Sequence, residues 1–139
     1  MKVLVDTSVW SLALRQGGER ERGPVRELRS LIADNRVQMM GPIRQEVLSG
    51  IREDSQFKEL EARLRAFPDL PLTSEDYVAA ARYFNLCRAK GIQGSNTDFL
   101  ICAAAVRHRL AIFTTDKDFS LYAKHLPIVL YRYGDVGER

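Results

Sequence analysis

Long apolar runs are missing from this sequence. No stretch approaches the roughly 20 residues that a membrane-spanning helix requires, and Met1-Lys2 leads directly into the first β-branched run. Neither a signal peptide nor a membrane partner is therefore expected, and the expected location is the cytoplasm. Cysteine is scarce: Cys87 and Cys102 fall within helical patterns, without a CxxC spacing or a disulfide framework, and read as buried thiols. Histidine is as sparse, and His108 and His125 stand apart from every acidic motif, as surface or local packing residues. No internal repeat, low-complexity segment or interdomain linker interrupts the chain. Lysine is the last shortage, with five Lys against 16 Arg. Arg suits bidentate phosphate contact, but genomic base composition inflates it as well, and a net charge of +3 does not by itself imply nucleic acid.

What is present is ordinary for a folded domain: 139 residues, 45% hydrophobic and 28% charged, enough to bury one core. A single domain over residues 1–139 is expected, with a frayed tail over 134–139. Val3-Leu-Val5 predicts a strand buried on both faces, followed by a helix carrying Val9, Leu12 and Ala13. Gln16-Gly17-Gly18 breaks that helix, and the stretch from Glu19 to Pro24 is a solvated connection. Val25, Leu28, Leu31 and Ile32 predict a second helix, Val37–Met40 a second strand, and Gly41-Pro42 opens a third helix with Glu46 on it. Phe57, Leu60, Leu64 and Phe67 mark another helix before Pro68, and Leu70-Pro-Leu72 a short edge strand. A long helix runs from Thr73-Ser74 to near Gly91, then an apolar helix over Phe99–Val106. Ala111–Thr114 and Ile128–Leu130 supply the last two strands, on either side of a short helix after Phe119. Strands alternating with helices imply a mostly parallel sheet covered on both faces.

In such a sheet ligands bind at the carboxyl ends of the strands, at the point where the strand order reverses. Asp6 and Asp116 both leave strands at that edge, and they are neighbours if the sheet winds outward in two directions from the first strand. Asp98 begins the helix that precedes the Asp116 strand, and Glu46 joins them if its helix faces the same crevice. Each acid has a plainer explanation. Asp6 sits beside Thr7 and Ser8 at a helix start, Ser95-x-x-Asp98 has the form of a capping box, and Asp116 and Asp118 suit a turn. Glu46 suits a solvated helix face. Together they argue differently, because carboxylates repel one another unless a cation is shared. Oxygen ligands without His or Cys suit Mg²⁺ or Mn²⁺.

Four segments in this order resemble the PIN-domain ribonucleases, and within them the VapC toxins of toxin–antitoxin systems. They are Val-Leu-Val-Asp6-Thr-Ser, Glu46-Val-Leu-Ser-Gly50, Asp98-Phe-Leu-Ile-Cys-Ala-Ala-Ala and Thr114-Thr-Asp116-Lys-Asp118-Phe119. Any one is unspecific; the four in sequence span essentially the whole chain. The resemblance implies an α/β fold, a PIN-like domain with a five-stranded parallel sheet ordered 3-2-1-4-5 and flanked by helices. It implies Asp6, Glu46, Asp98 and Asp116 as the catalytic acids. Asp6, Asp98 and Asp116 would be ligands for Mg²⁺ or Mn²⁺, with Glu46 either a ligand or the group that activates water. Asp118 is an auxiliary, and Thr7 or Thr115 orients the carboxylates. The implied activity is metal-dependent endoribonuclease cleavage of RNA such as tRNA or rRNA, leaving a 5′-phosphate and a 3′-hydroxyl. The implied partners are a VapB-like antitoxin and a second copy of the chain.

Two alternatives share the fold: an RNA-processing nuclease without an antitoxin, and an inert PIN-like binding domain, which would be expected to have lost part of the acidic quartet. A phosphorylated receiver domain fails, because Asp6 is followed by Thr-Ser rather than a second acid, Leu72 leads to Thr-Ser, and the last strand leads to Tyr131-Arg132 instead of Lys. A phosphatase with an Asp-x-Asp nucleophile fails at Ser8.

Overall fold

Val3, Leu4 and Val5 are almost completely inaccessible to solvent, and the rest of the molecule is laid around them. The structure is a computed structural model and describes residues 1–16 and 23–134. The expected break at Gln16-Gly17-Gly18, the connection from Glu19, and the tail beyond Gly134 lie wholly or mostly outside the described residues. Strand β1 (Val3–Val5) lies between β2 (Val37–Gln38) and β3 (Ala111–Phe113), pairing in parallel with both, so the order is β2-β1-β3. The reversal of strand order therefore falls at the carboxyl end of β1, where Asp6 emerges.

The expected five-stranded sheet needs correction: three strands form among the described residues, and the two outer ones shrink to single parallel bridges. At one edge Asp69 bridges Met39, with one bond from Leu70 N–H to Met39 O at 2.8 Å. Pro68 and Pro71 flank that point and have no N–H to extend a ladder. At the other edge Leu130 bridges Ile112, through Ile112 N–H to Val129 O and Tyr131 N–H to Ile112 O, at 2.8 and 2.7 Å. Here β3 is only three residues long and Pro127 stands just before the segment, so a ladder has little backbone to use. The second strand is also shorter than expected, stopping at Gln38 with Met39 left in its bridge.

Seven helices surround the strands among the described residues: α1 (Thr7–Gln16), α2 (Pro24–Ala33), α3 (Gly41–Leu48), α4 (Asp54–Leu64), α5 (Ser74–Ala89), α6 (Asn96–His108) and α7 (Asp118–Tyr122). Helix α6 is buried continuously from Phe99 to Ala105, as its apolar run predicts. Its three consecutive alanines let α5 approach closely, and this is the most extensive helix pairing in the molecule. Asp76 in the first turn of α5 is fully buried, which requires partners. Thr73 N–H donates to its Oδ2 at 2.8 Å, and from α6 Arg107 Nε donates to its Oδ1 at 2.8 Å, with His108 Nε2 3.2 Å away. Burial alone would raise this carboxyl; the hydrogen bonds from Thr73 and Arg107 and the nearby His108 and Arg107 charges hold it below the ordinary 3.8. His108 is thus part of an interhelical clamp. Gly91, with φ of 79°, closes α5 where Ile92 N–H returns to Cys87 O. Cys87 and Cys102 are buried and unpaired, with burial pushing both thiols up. Among the described residues no helix is long and apolar enough to cross a membrane.

Candidate active site

Asp6 is only 6% exposed, so its charge needs donors. Two hydroxyls provide them at the same oxygen: Thr114 Oγ1 donates to Oδ2 at 2.7 Å and Ser8 Oγ donates at 2.8 Å. Both hydroxyls also accept. Asp116 N–H donates to Thr114 Oγ1 at 3.0 Å and Thr115 N–H donates to Ser8 Oγ at 3.1 Å. The backbone at the end of β3 is thereby tied to the carboxylate at the end of β1. The parallel pairing of β1 and β3 sets the register, with Asp6 N–H donating to Phe113 O at 2.9 Å. Asp6 Oδ1 accepts no hydrogen bond from the described residues.

Asp98 enters from the start of α6. Its backbone N–H donates to Ser95 Oγ at 3.0 Å, which is one half of a capping box. The other half is absent, because the Asp98 carboxylate turns to Tyr122, whose O–H donates to Oδ2 at 2.6 Å. Burial pushes the Asp98 carboxyl above the ordinary 3.8, the Tyr122 hydrogen bond opposes this, and the charges of Asp116 and Asp6 add to the rise. The charges of Asp116 and Asp6 thus reach Asp98 across the same edge of the sheet. Burial raises the Tyr122 phenol strongly, and the Asp98 hydrogen bond with the charges of Asp98, Asp118 and Asp116 raises it further. It therefore stays protonated and remains a donor. Asp116 Oδ1 accepts Asp118 N–H at 2.9 Å, a turn bond that opens α7 and leaves the second carboxylate oxygen outside that contact.

Glu46 lies on the exposed side of α3, where its Oε1 accepts the Thr7 hydroxyl at 2.7 Å. Asp6, Asp98 and Asp116 thus come together at the carboxyl edge of the sheet, Asp118 stands beside them, and Glu46 joins at the rim through the residue after Asp6. Thr7 holds Glu46 rather than an aspartate. Thr115 contributes its backbone N–H, while the hydroxyls on Asp6 belong to Ser8 and Thr114. Ser8, Thr114 and Tyr122 are the site residues that sequence reasoning missed. The first two stood inside the quoted motifs, with no role given to their hydroxyls. Tyr122 gave one local signal, its spacing of four from Asp118 on a single helix face.

An all-carboxylate donor set fits a hard divalent cation. Among the described residues, no group of three or more His, Cys, Asp or Glu side chains is drawn close enough to form a ready cage.

The PIN domain family matches residues 3–125. Ribonuclease VapC11 of Mycobacterium tuberculosis is 36% identical over 124 residues, covering 88% of this chain and 92% of the relative. The solved structure of VapBC2 from Rickettsia felis bound to a promoter DNA fragment superposes with a TM-score of 0.75 at 16% identity, over 96% of this chain and 100% of that one. A toxin–antitoxin complex from Klebsiella pneumoniae gives 0.66 at 19% identity, over 96% and 100%.

Proposed function

The chain belongs to the PIN domain family, and on that premise we propose that it is a divalent-metal-dependent endoribonuclease, the toxin of a type II toxin–antitoxin pair. The observation that carries this reading is that Asp6, Asp98 and Asp116 all stand at the carboxyl edge of the sheet, with Asp98 raised first by burial and then by the charges of Asp116 and Asp6. The VapC11 relative is named a ribonuclease, which supports RNA as the substrate. Asp6, Asp98 and Asp116 would hold Mg²⁺ or Mn²⁺, directly or through water, with Glu46 as a further ligand or as the group that takes the proton from the attacking water. A cation bound there supplies positive charge to the scissile phosphate and lowers the pKa of a water molecule.

The chain's own residues do the rest. Ser8 and Thr114 fix one oxygen of Asp6 and leave the other free, and Tyr122 does the same for Asp98 while remaining protonated. Attack of water on phosphorus breaks the bond to the 3′ oxygen, which leaves with a proton as the 3′-hydroxyl of the upstream fragment; the phosphate stays on the downstream fragment as its 5′-phosphate. The antitoxin partner, supported by the name of the Klebsiella complex, would place an Arg or a short basic segment among the carboxylates and displace cation and RNA together. The functional unit is proposed as a homodimer in the cytoplasm, each copy a single domain.

The test is cleavage of RNA by purified protein with Mg²⁺ or Mn²⁺. Cleavage is expected to stop with excess chelator and in Asp6→Asn protein that keeps its fold. Equal cleavage in chelator, with contaminating nuclease excluded by the Asp6→Asn preparation, would contradict the proposal.

A further inference from the structure

Beside the acidic centre, and separate from it, lies a cavity of about 280 Å³ between the last turn of α5 and the loop that leads into α6. Phe84, Arg88, Ile92, Gln93, Gly94 and Phe99 line it. It adjoins the carboxylates in two ways. Phe99 follows Asp98 in the chain, and its ring centroid is 4.8 Å from that of Tyr122, the donor to Asp98. Gly94 packs on the Tyr122 hydroxyl so closely that a Cβ there would collide with it. The cavity wall and the support of Asp98 are one structure.

Its lining has three chemistries. Phe84 is half-buried and meets Phe99 edge to face at 5.6 Å, forming an apolar wall. Arg88, one turn further along α5, is exposed and makes no ion pair among the described residues. Gln93 is exposed, with an amide that no described residue engages. Neither residue contributes to folding by any bond on view. A guanidinium suits a phosphate, an aromatic wall suits a base, and a free amide can read a base edge.

Resting on the nuclease reading above, we infer that this cavity is a nucleotide subsite: it takes one base of the single-stranded RNA next to the cleaved bond. Arg88 contacts the phosphate of that nucleotide, and Gln93 distinguishes bases. An RNA strand is favoured over a protein segment because Phe99 and Gly94 of the cavity wall pack on Tyr122, the donor to Asp98, so a strand seated here passes beside the carboxylates. Arg88 supplies there the positive charge that a polyanion needs beside an acidic centre.

The experiment cleaves a pool of single-stranded RNA oligonucleotides of randomised sequence with parent, Arg88→Ala and Gln93→Ala proteins in Mn²⁺, and sequences the new ends. The parent is expected to prefer particular bases at one position beside the cut, and Gln93→Ala to flatten the preference at that position alone. Arg88→Ala should raise KM about tenfold, the loss of one charge-assisted contact, and more than it lowers kcat. Both side chains are exposed, so the variants fold. A parent that cuts while both variants keep its preference and KM overturns the subsite and leaves the nuclease reading standing. A parent that leaves the pool uncut, like an Asp98→Asn control, overturns both. Unchanged RNA kinetics with lost co-purification of a protein encoded beside it would assign the cavity to a protein and overturn the nucleotide reading.

Discussion

Tyr122 is the residue whose loss should separate position from charge. It is fully buried, it stays protonated, and its hydroxyl spends its one proton on Asp98. Tyr122→Phe removes that donor and little else. A hydrogen bond to a charged group contributes about 1.5–3 kcal/mol, so RNA cleavage is expected to fall roughly ten- to hundredfold. The bond also lowers the Asp98 carboxyl, so its loss should move the acid limb of the pH–rate profile to higher pH. Gly94→Ala forces the same hydroxyl aside without removing it. The double variant should therefore be no worse than either single one, measured by kcat/KM across pH. Additive losses would mean that Gly94 acts elsewhere. The sequence put Asp6, Asp98 and Asp116 within reach of one another because each borders an element whose direction its pattern reveals. It was silent on Tyr122, since that contact depends on how α7 folds back against the start of α6. It named Thr7, which does hold the Glu46 carboxylate, but not Ser8 and Thr114 on Asp6, because which hydroxyl turns inward depends on backbone direction at the strand ends.

At the scale of elements, α5 and α6 are joined by a charge that sequence reading treated as a helix start. Asp76 is fully buried, and its carboxyl is held low by Thr73, Arg107 and His108. A depressed carboxyl contributes stability that is present above its unfolded value, near 3.8, and lost as pH falls through the lower folded one. Arg107→Ala leaves the carboxylate with Thr73 and His108 only. Arg107 is 40% exposed, so the cost is well below that of a fully buried pair, about 1–2 kcal/mol. Urea unfolding at pH 7 should show that loss, and the difference between parent and variant should shrink as pH falls below 4. A difference that is constant with pH would mean that Arg107 acts by packing. The strands were legible from their apolar runs, but their lengths were not. Leu70-Pro-Leu72 and Ile128–Leu130 have the composition of strands, but pairing is limited to one bridge at each edge, at Asp69 just before the first and at Leu130 in the second, with prolines close by.

Over the whole molecule, the parallel order β2-β1-β3 brings to one edge acids that lie 92 and 110 residues from Asp6 in the chain. The alternation of strands and helices made that architecture legible, and the four motifs located its edge. What no sequence pattern gives is the electrostatic cost of the arrangement. With its folded carboxyl raised, Asp98 favours the native state fully only below its unfolded value of 3.8, and that contribution is lost as pH rises through the folded one. At neutral pH and without a cation, the ionised group is a burden that the proposed divalent ion would relieve. Asp98→Asn keeps the shape and removes the charge. Thermal melts of parent and Asp98→Asn, with and without Mn²⁺ at fixed ionic strength, test this most directly. The metal-free variant should melt at the same temperature as the parent or higher, and Mn²⁺ should raise its melting point less. A metal-free melting point lowered by the loss of about 0.3–1 kcal/mol expected for a charge at a helix start, with the same Mn²⁺ shift in both proteins, would contradict a shared carboxylate site.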